Sequence, residues 1–203
     1  MFGESQPRPA PKLRRTNETE RSHEEENELT DLVMRTATAA DAEALHALIS
    51  AHQNEGHLLP RQLDELRRRA DRFVVCDVAG EVKACAELAP LSSRVAEVRS
   101  LVVASDFRRV GLAARLVGEV RARAEAAGFE SLTAFTHDPR FFVRQNFSIV
   151  PHVSVPEKIA KDCVGCPLFR RCEQYAMVLP LAAVARYRAT KIAEPRRVAV
   201  AVA

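Results

Sequence analysis

No stretch of this 203-residue chain approaches the ~20 consecutive apolar residues that a membrane-spanning helix needs. The polar amino-terminal region has no apolar segment of the kind a secretory leader carries. The expected setting is therefore the cytoplasm, where the five cysteines should be reduced. Charge of one sign is also scarce: the formal net charge is +3, too small for a domain that grips nucleic acid. No internal repeat divides the chain. Neither a membrane nor a nucleic acid is expected among its partners.

What is present is an ordinary soluble balance, 47% hydrophobic and 28% charged, with enough length for one domain and a real core. The charge is unevenly spread. Residues 1–32 hold five Arg or Lys against eight Asp or Glu, whereas residues 184–203 hold five against one. Residues 1–31 show no apolar periodicity and carry Pro7, Pro9 and Pro11 ahead of Glu24, Glu25 and Glu26. They are expected to be a disordered, charged arm. One ordered domain is expected over 32–183, then a basic, poorly patterned tail over 184–203.

The spacing predicts a strand near Leu32–Arg35. Thr38, with Asp41 three residues on, reads as a helix start, and Leu45, Leu48, Ile49 and His52 follow at helical spacing. Gly56 and the Leu58-Leu59-Pro60-Arg61 break end that helix, and a second one carries Leu63, Leu66 and Ala70. Phe73–Val78 and Val82–Leu88 read as strands about an Ala79-Gly80 turn, with Glu97–Val103 next. Leu112, Leu116, Val117, Val120 and Ala124 give a long helix its buried stripe, and Gly128 ends it. Ser131–Thr136 is a strand, and a short helix follows around Phe141-Phe142-Val143. Strands at Phe147–Val150 and Tyr175–Leu179 complete the order β-α-α-β-β-β-α-β-α-β-β. That order is an α+β plan, a mixed central sheet flanked by helices.

The most informative segment is the basic turn between the Glu97–Val103 strand and the long helix, Arg108-x-x-Gly111-x-Ala113. The first turn of a helix offers unpaired N–H groups and the positive end of a dipole, which suits a pyrophosphate. Gly111 and Ala113 leave room for close approach, and Arg108 and Arg109 add cationic donors. The bland alternative is a strand–turn–helix with a solvated basic turn.

This turn matches the pattern of acetyl-CoA-dependent N-acetyltransferases, and together with the element order it makes the chain resemble the GNAT superfamily. More narrowly, the chain resembles the short bacterial N-acetylglutamate synthases that lack a kinase domain. Four stretches carry that likeness: Gly56–Arg61, Ala96–Val103, Leu132–Phe147, and Pro156–Ile159 continued by Asp162–Pro167 and Cys172–Val178. It covers roughly 33–181. Departures are Arg109 where glycine is frequent, Ala113 where glycine is common, Asn146 in place of a usual glycine, and Ala160 where an aromatic is frequent. The resemblance implies the GNAT fold and acetyl-CoA as cosubstrate. It places the cofactor on the backbone of Leu101, Val102 and Val103 and on the turn Arg108, Arg109, Val110, Gly111, Leu112 and Ala113. It implies L-glutamate as the amine acceptor, in arginine biosynthesis, and suggests a homodimer.

Acetyl transfer to an amine needs a positioned thioester, loss of a proton from the amine, and donors for the oxyanion. Glu97 is the candidate general base, with the alternative that it simply pairs with Arg99. No tyrosine stands between Thr133 and Phe147 to act as general acid; His137 is the titratable group there, or else a solvated loop histidine. A dicarboxylate acceptor calls for guanidinium forks, and Arg61 and Arg99 are the candidates, with Lys158 as a further one. No metal is assigned. Cys163, Cys166 and Cys172 are the candidates a zinc site would use, with His152 the nearest histidine; otherwise they are packed thiols or a redox-sensitive pair. Three rivals stay open: another amine acceptor (a polyamine, a different amino acid or a protein), a non-catalytic acyl-CoA sensor, and a metal- or redox-responsive module.

Overall fold

Alternation along the strands sorts the apolar residues onto two faces of one sheet. The computed structural model describes residues 32–53 and 58–181. The expected charged arm, the Gly56 break and the basic tail lie outside the described residues. In chain order the elements are β1 (Leu32–Thr36), α1 (Ala42–Ala51), α2 (Leu63–Arg68), β2 (Phe73–Val78), β3 (Glu81–Pro90), β4 (Val95–Val103) and α3 (Leu112–Ala126). They continue with β5 (Ser131–Thr136), α4 (Arg140–Arg144), β6 (Ser148–Val150), α5 (Pro156–Lys158) and β7 (Tyr175–Pro180). The expected order is found, and besides short 3-10 turns, α5 and a π-helical turn over Ile159–Cys163 occupy a stretch for which the sequence suggested no element.

The strands line up as β1-β2-β3-β4-β5-β7-β6, and every neighbouring pair is antiparallel except β4 and β5. Val74, Cys76, Ala84, Ala86, Ala96, Val98 and Leu132 face α3, which answers with Leu112, Leu116, Val117, Val120 and Ala124. Phe73, Val75, Cys85 and Val102 face the other way, onto Leu45, Leu48 and Ile49 of α1 and Leu66 of α2. The mixed sheet is thus covered by helices on both sides, as the sequence pattern requires.

Turn chemistry sets the register. Ala79 (φ 51°) and Gly80 (φ 86°) both have positive φ, the signature of a two-residue hairpin turn that matches strand twist. Asn146, at φ 66°, adopts the left-handed conformation that asparagine tolerates. The start of α1 is locked by charge. Thr38 donates its backbone N–H to Asp41 Oδ2 at 2.7 Å, and Arg35 grips both oxygens of Asp41 at 2.8 Å. These donors hold the Asp41 carboxyl well below the usual range, the Arg35 hydrogen bond foremost.

Two irregularities of β4 position everything that follows. First, β4 pairs with β5 only at Val95–Ser131, Ala96–Leu132 and Glu97–Thr133. Beyond Glu97 the two strands part. Second, β4 carries a bulge: Ser100 and Leu101 together oppose Ala86 of β3. Ser100 is accordingly left-handed, at φ 48°. The extra residue changes which numbers share a face. Glu97 and Arg99 look towards α1 and α2, but beyond the bulge it is Val102 that does so, while Leu101 and Val103 pack towards α3. A bulge bends its strand and adds twist, which carries the far half of β4 away from β5.

Candidate active site

The parting strands expose a backbone edge inside the sheet. The N–H of Ala104 donates to Lys83 O at 2.8 Å, so it points to β3. Strand alternation then turns the N–H of Val102 to β3 as well and leaves those of Leu101 and Val103 facing the opening. Of the three backbone groups named for the cofactor, that of Val102 is thus turned to β3, and its side chain packs under α1 and α2.

At the far end of β4 the chain makes the basic turn. Arg109 has φ 67° and Gly111 has φ 86°. The left-handed backbone at Arg109 explains why glycine is frequent there in the proteins the sequence resembles. Gly111 is the N-cap of α3, and the first intrahelical bond runs from Arg115 N–H to Gly111 O at 3.1 Å. The N–H groups of Leu112, Ala113 and Ala114 therefore form the donor end of a 15-residue helix with no acidic side chain in its first turn. A Cβ on Gly111 would meet no protein atom within 4 Å, so the space above it is open. Arg108, Arg109 and Val110 are exposed around it, and Arg108 Nε donates to Val103 O at 3.1 Å. The turn is thereby tied to the end of the splayed strand.

Where the strands begin to part, four charges meet. Glu97 is 4% exposed at its side chain. Its Oε1 and Oε2 accept from Lys158 Nζ at 2.8 and 3.0 Å, and Oε2 also accepts from Arg99 Nε at 2.6 Å. Asp162 Oδ2 lies 3.0 Å from Lys158 Nζ and accepts from Arg99 Nη2. Lys158 also stands over the ring of Phe135, 5.0 Å from its centroid. Burial pushes the Asp162 carboxyl up, but the hydrogen bond and charge of Lys158, with the charges of Arg99 and Lys161, outweigh it and hold the group below its ordinary value. Glu97, Arg99 and Lys158 are thus brought together as candidates, while Asp162 is a partner the sequence reading did not single out. Both oxygens of Glu97, the candidate general base, are engaged by cations, the pairing named as its alternative role.

Arg61 is placed differently from the expectation. Its guanidinium, 10% exposed, donates from Nη1 to Glu87 Oε2 at 2.7 Å and to Ser100 Oγ at 3.0 Å, and from Nη2 to Glu65 Oε1 at 3.2 Å. It lies over Phe73 at 5.7 Å, and its Nε is buried without a hydrogen-bond partner among the described residues. Glu87, 1% exposed, is the residue that captures it. Arg61, just ahead of α2, therefore braces the β4 bulge. The sequence held one signal for Glu87: it stands in register with Cys85 and Ala89 on the buried face of β3.

His137 sits on the exposed turn beyond β5, outside the charge quartet. The histidine near Phe135 is His152, stacked on it with centroids 5.7 Å apart. Its Nε2 is buried with no partner among the described residues. Among the described residues no three His, Cys, Asp or Glu are grouped to hold a metal ion, Cys163, Cys166 and Cys172 included. Burial pushes the Cys163 thiol up and that of Cys85 up to about 12, which leaves both protonated near neutral pH. No helix among the described residues is long and apolar enough to cross a membrane.

The acetyltransferase (GNAT) family pattern matches residues 28–147. An uncharacterized N-acetyltransferase of Chlorobaculum tepidum is 31% identical over 151 residues, which span 74% of this chain and 97% of that protein. An amino-acid acetyltransferase of Ectopseudomonas mendocina is 34% identical over 104 residues, 51% of this chain but only 24% of that longer protein. In three dimensions, N-acetylglutamate synthase from Neisseria gonorrhoeae, solved with coenzyme A and N-acetyl-glutamate, superposes with a TM-score of 0.67 at 21% identity. That match covers 74% of this chain and 35% of the synthase, and it shows a shared fold.

Proposed function

The chain belongs to the GNAT family of acetyltransferases, and from that premise we propose that it transfers the acetyl group of acetyl-CoA to the amine of a dicarboxylic amino acid, L-glutamate foremost. One observation carries the acceptor class. Arg99 and Lys158 stand side by side, bridged by Glu97, at the point where β4 leaves β5. A guanidinium and an ammonium beside an opening supply charged donors that match a carboxylate and give a polyamine nothing to pair with. The partial match to longer amino-acid acetyltransferases supports the same class.

In this reading the cofactor pyrophosphate rests on the first turn of α3, with Arg108 and Arg109 beside it. The N–H groups of Leu101 and Val103 pair with the pantetheine arm and the thioester oxygen, which brings the reacting carbon to the mouth of the splay. The amine attacks that carbon, the C–N bond forms and the C–S bond breaks with its electrons on sulfur. A thiol of pKa ~8.5 leaves as thiolate without a strong acid, and the ammonium proton passes to water. Glu97 fixes the two cations. No covalent enzyme intermediate is required.

The test is acetyl-CoA consumption across amino acids and polyamines, with products identified by mass. N-acetylglutamate is the expected product. Ready acetylation of spermidine with glutamate ignored would overturn the acceptor class.

The cofactor half has its own expected result. In Gly111→Val a β-branched residue is forced to φ near +86°, and its methyl groups fill the open space above the turn. Coenzyme A should bind at least ~10-fold more weakly, about 1.4 kcal/mol. Calorimetry on the folded variant reads this directly, and an unchanged affinity would move the pyrophosphate elsewhere.

A further inference from the structure

We propose that Asp162 is a built-in stand-in for the acceptor's carboxylate: it occupies Arg99 and Lys158 until an acceptor displaces it, and so selects acceptors that bring a carboxylate of their own. The inference rests on the amino-acid reading above. Its basis is the asymmetry between the two acids of the quartet. Glu97 is held on β4 where that strand is paired on both sides, to Ala89 and to Thr133, and its side chain is almost fully buried. Asp162 belongs to a π-helical turn and its side chain is 28% exposed. Each cation therefore has an inner carboxylate that is almost fully buried on a doubly paired strand, and an outer one that already reaches water.

Charge balance makes exchange the economical route. Arg99 and Lys158 are already neutralised by Glu97 and Asp162. A third carboxylate entering this half-buried group would leave three anions on two cations, and like charges at close range are strongly unfavourable. If Asp162 swings out as the ligand comes in, the count of charges on the cations is unchanged, and Asp162 regains water. A neutral amine or a polyamine offers no replacement carboxylate and leaves Asp162 seated. The turn itself is suited to such a movement. It is a single wide turn, which is a form that recurs at functional positions, and it is pinned beside Asp162 by Lys161 Nζ donating to Pro90 O. Rotation of one short side chain suffices; β4 need not shift.

The experiment measures binding of glutarate, a dicarboxylate that cannot be acetylated, by calorimetry, so it does not depend on turnover. Asp162→Asn should bind glutarate roughly five- to tenfold more tightly than the wild type. Asp162→Glu, which restores the competing carboxylate, should return the affinity to near the wild-type value. Asp71→Asn makes the same change in net charge at an exposed position remote from the quartet, and it should change nothing. Unchanged or weaker binding by Asp162→Asn overturns the proposal, as does an equal gain in Asp71→Asn or the absence of binding in every variant. Should Asp162→Asn fail to melt cooperatively, Asp162→Ser takes its place with the same expectation. The glutamate reading fails separately, if wild-type enzyme leaves L-glutamate unacetylated while the glutarate titrations still report on Asp162.

Discussion

Replacing Arg61 by methionine is expected to lower the free energy of unfolding by about 3–5 kcal/mol, because it leaves the carboxylate of Glu87 buried and uncompensated. Glu87 is 1% exposed and its Oε2 is 2.7 Å from Arg61 Nη1. The same change removes the donor to Ser100 Oγ and so loosens the bulge. For a domain of this size the melting temperature should fall by roughly 6–20 °C. Adding Glu87→Leu should recover most of the loss, since a pair replaced by apolar side chains of similar volume is often tolerated. Arg61→Lys keeps the charge but cannot reach Glu87, Ser100 and Glu65 at once, and should fall between. A methionine variant that melts with the wild type would mean that water reaches Glu87. The expected loss would separate the two arginines that the sequence suggested as an acceptor clamp, with Arg61 holding the scaffold and Arg99 left beside the splay.

The second large effect concerns that opening. Under the proposed function L-glutamate should exceed L-glutamine in kcat/KM by roughly 5- to 150-fold. This corresponds to the ~1–3 kcal/mol lost when charged donors meet a neutral amide in place of a carboxylate. Arg99→Lys should narrow the ratio although the charge is kept, because an ammonium cannot present a planar pair of donors. The same substitution also breaks the contact to Glu97 or to Asp162, so the cofactor affinity must be followed alongside; it should hold, since Leu101, Val103 and the turn at Gly111 are untouched. Equal rates with the two amino acids would place the acceptor's side chain away from Arg99 and Lys158.

Local signals in the chain were strong enough to delimit much of the fold. β2 and β5 run over the residues expected of them, and the five stripe positions of α3 are all buried. The turn at Gly111 was legible because its chemistry is local: a helix start, a glycine and two arginines within six residues. Of the quartet, Glu97, Arg99 and Lys158 were legible as candidates and Asp162 was not. Arg99 stands out as a charge in an apolar strand, but Asp162, its outer partner, lies some sixty residues on, in a π-helical turn with no repeat to announce it. Val153 is exposed and Val155 buried within the approach to α5, and Lys158, Lys161 and Asp162 tie the segment that follows to β3 and β4. Glu87 was missed for a related reason. Glutamate in a strand reads as solvent-facing until the tertiary fold places Arg61 over it. Nothing in Arg99-Ser100-Leu101 signals a bulge, and plain alternation would set Leu101 and Val103 beside Glu97.

That bulge has a consequence for the length of the chain. With Ser100 taken out, Leu101 would follow Arg99 and fall towards α3, Val102 towards α1, and Val103 towards α3, each on the side it occupies already. Every apolar contact of β4 would survive in a strand one residue shorter. Ser100 is therefore surplus to the sheet. What it contributes is curvature: a straight β4 would have no reason to diverge from β5 and could continue the parallel ladder past Glu97 and Thr133. The shorter protein would be the more regular one, with its central seam zipped shut and the donors of Leu101 and Val103 consumed by its own backbone. One additional residue, held in a conformation that L-amino acids disfavour and steadied by Arg61, keeps that seam from closing.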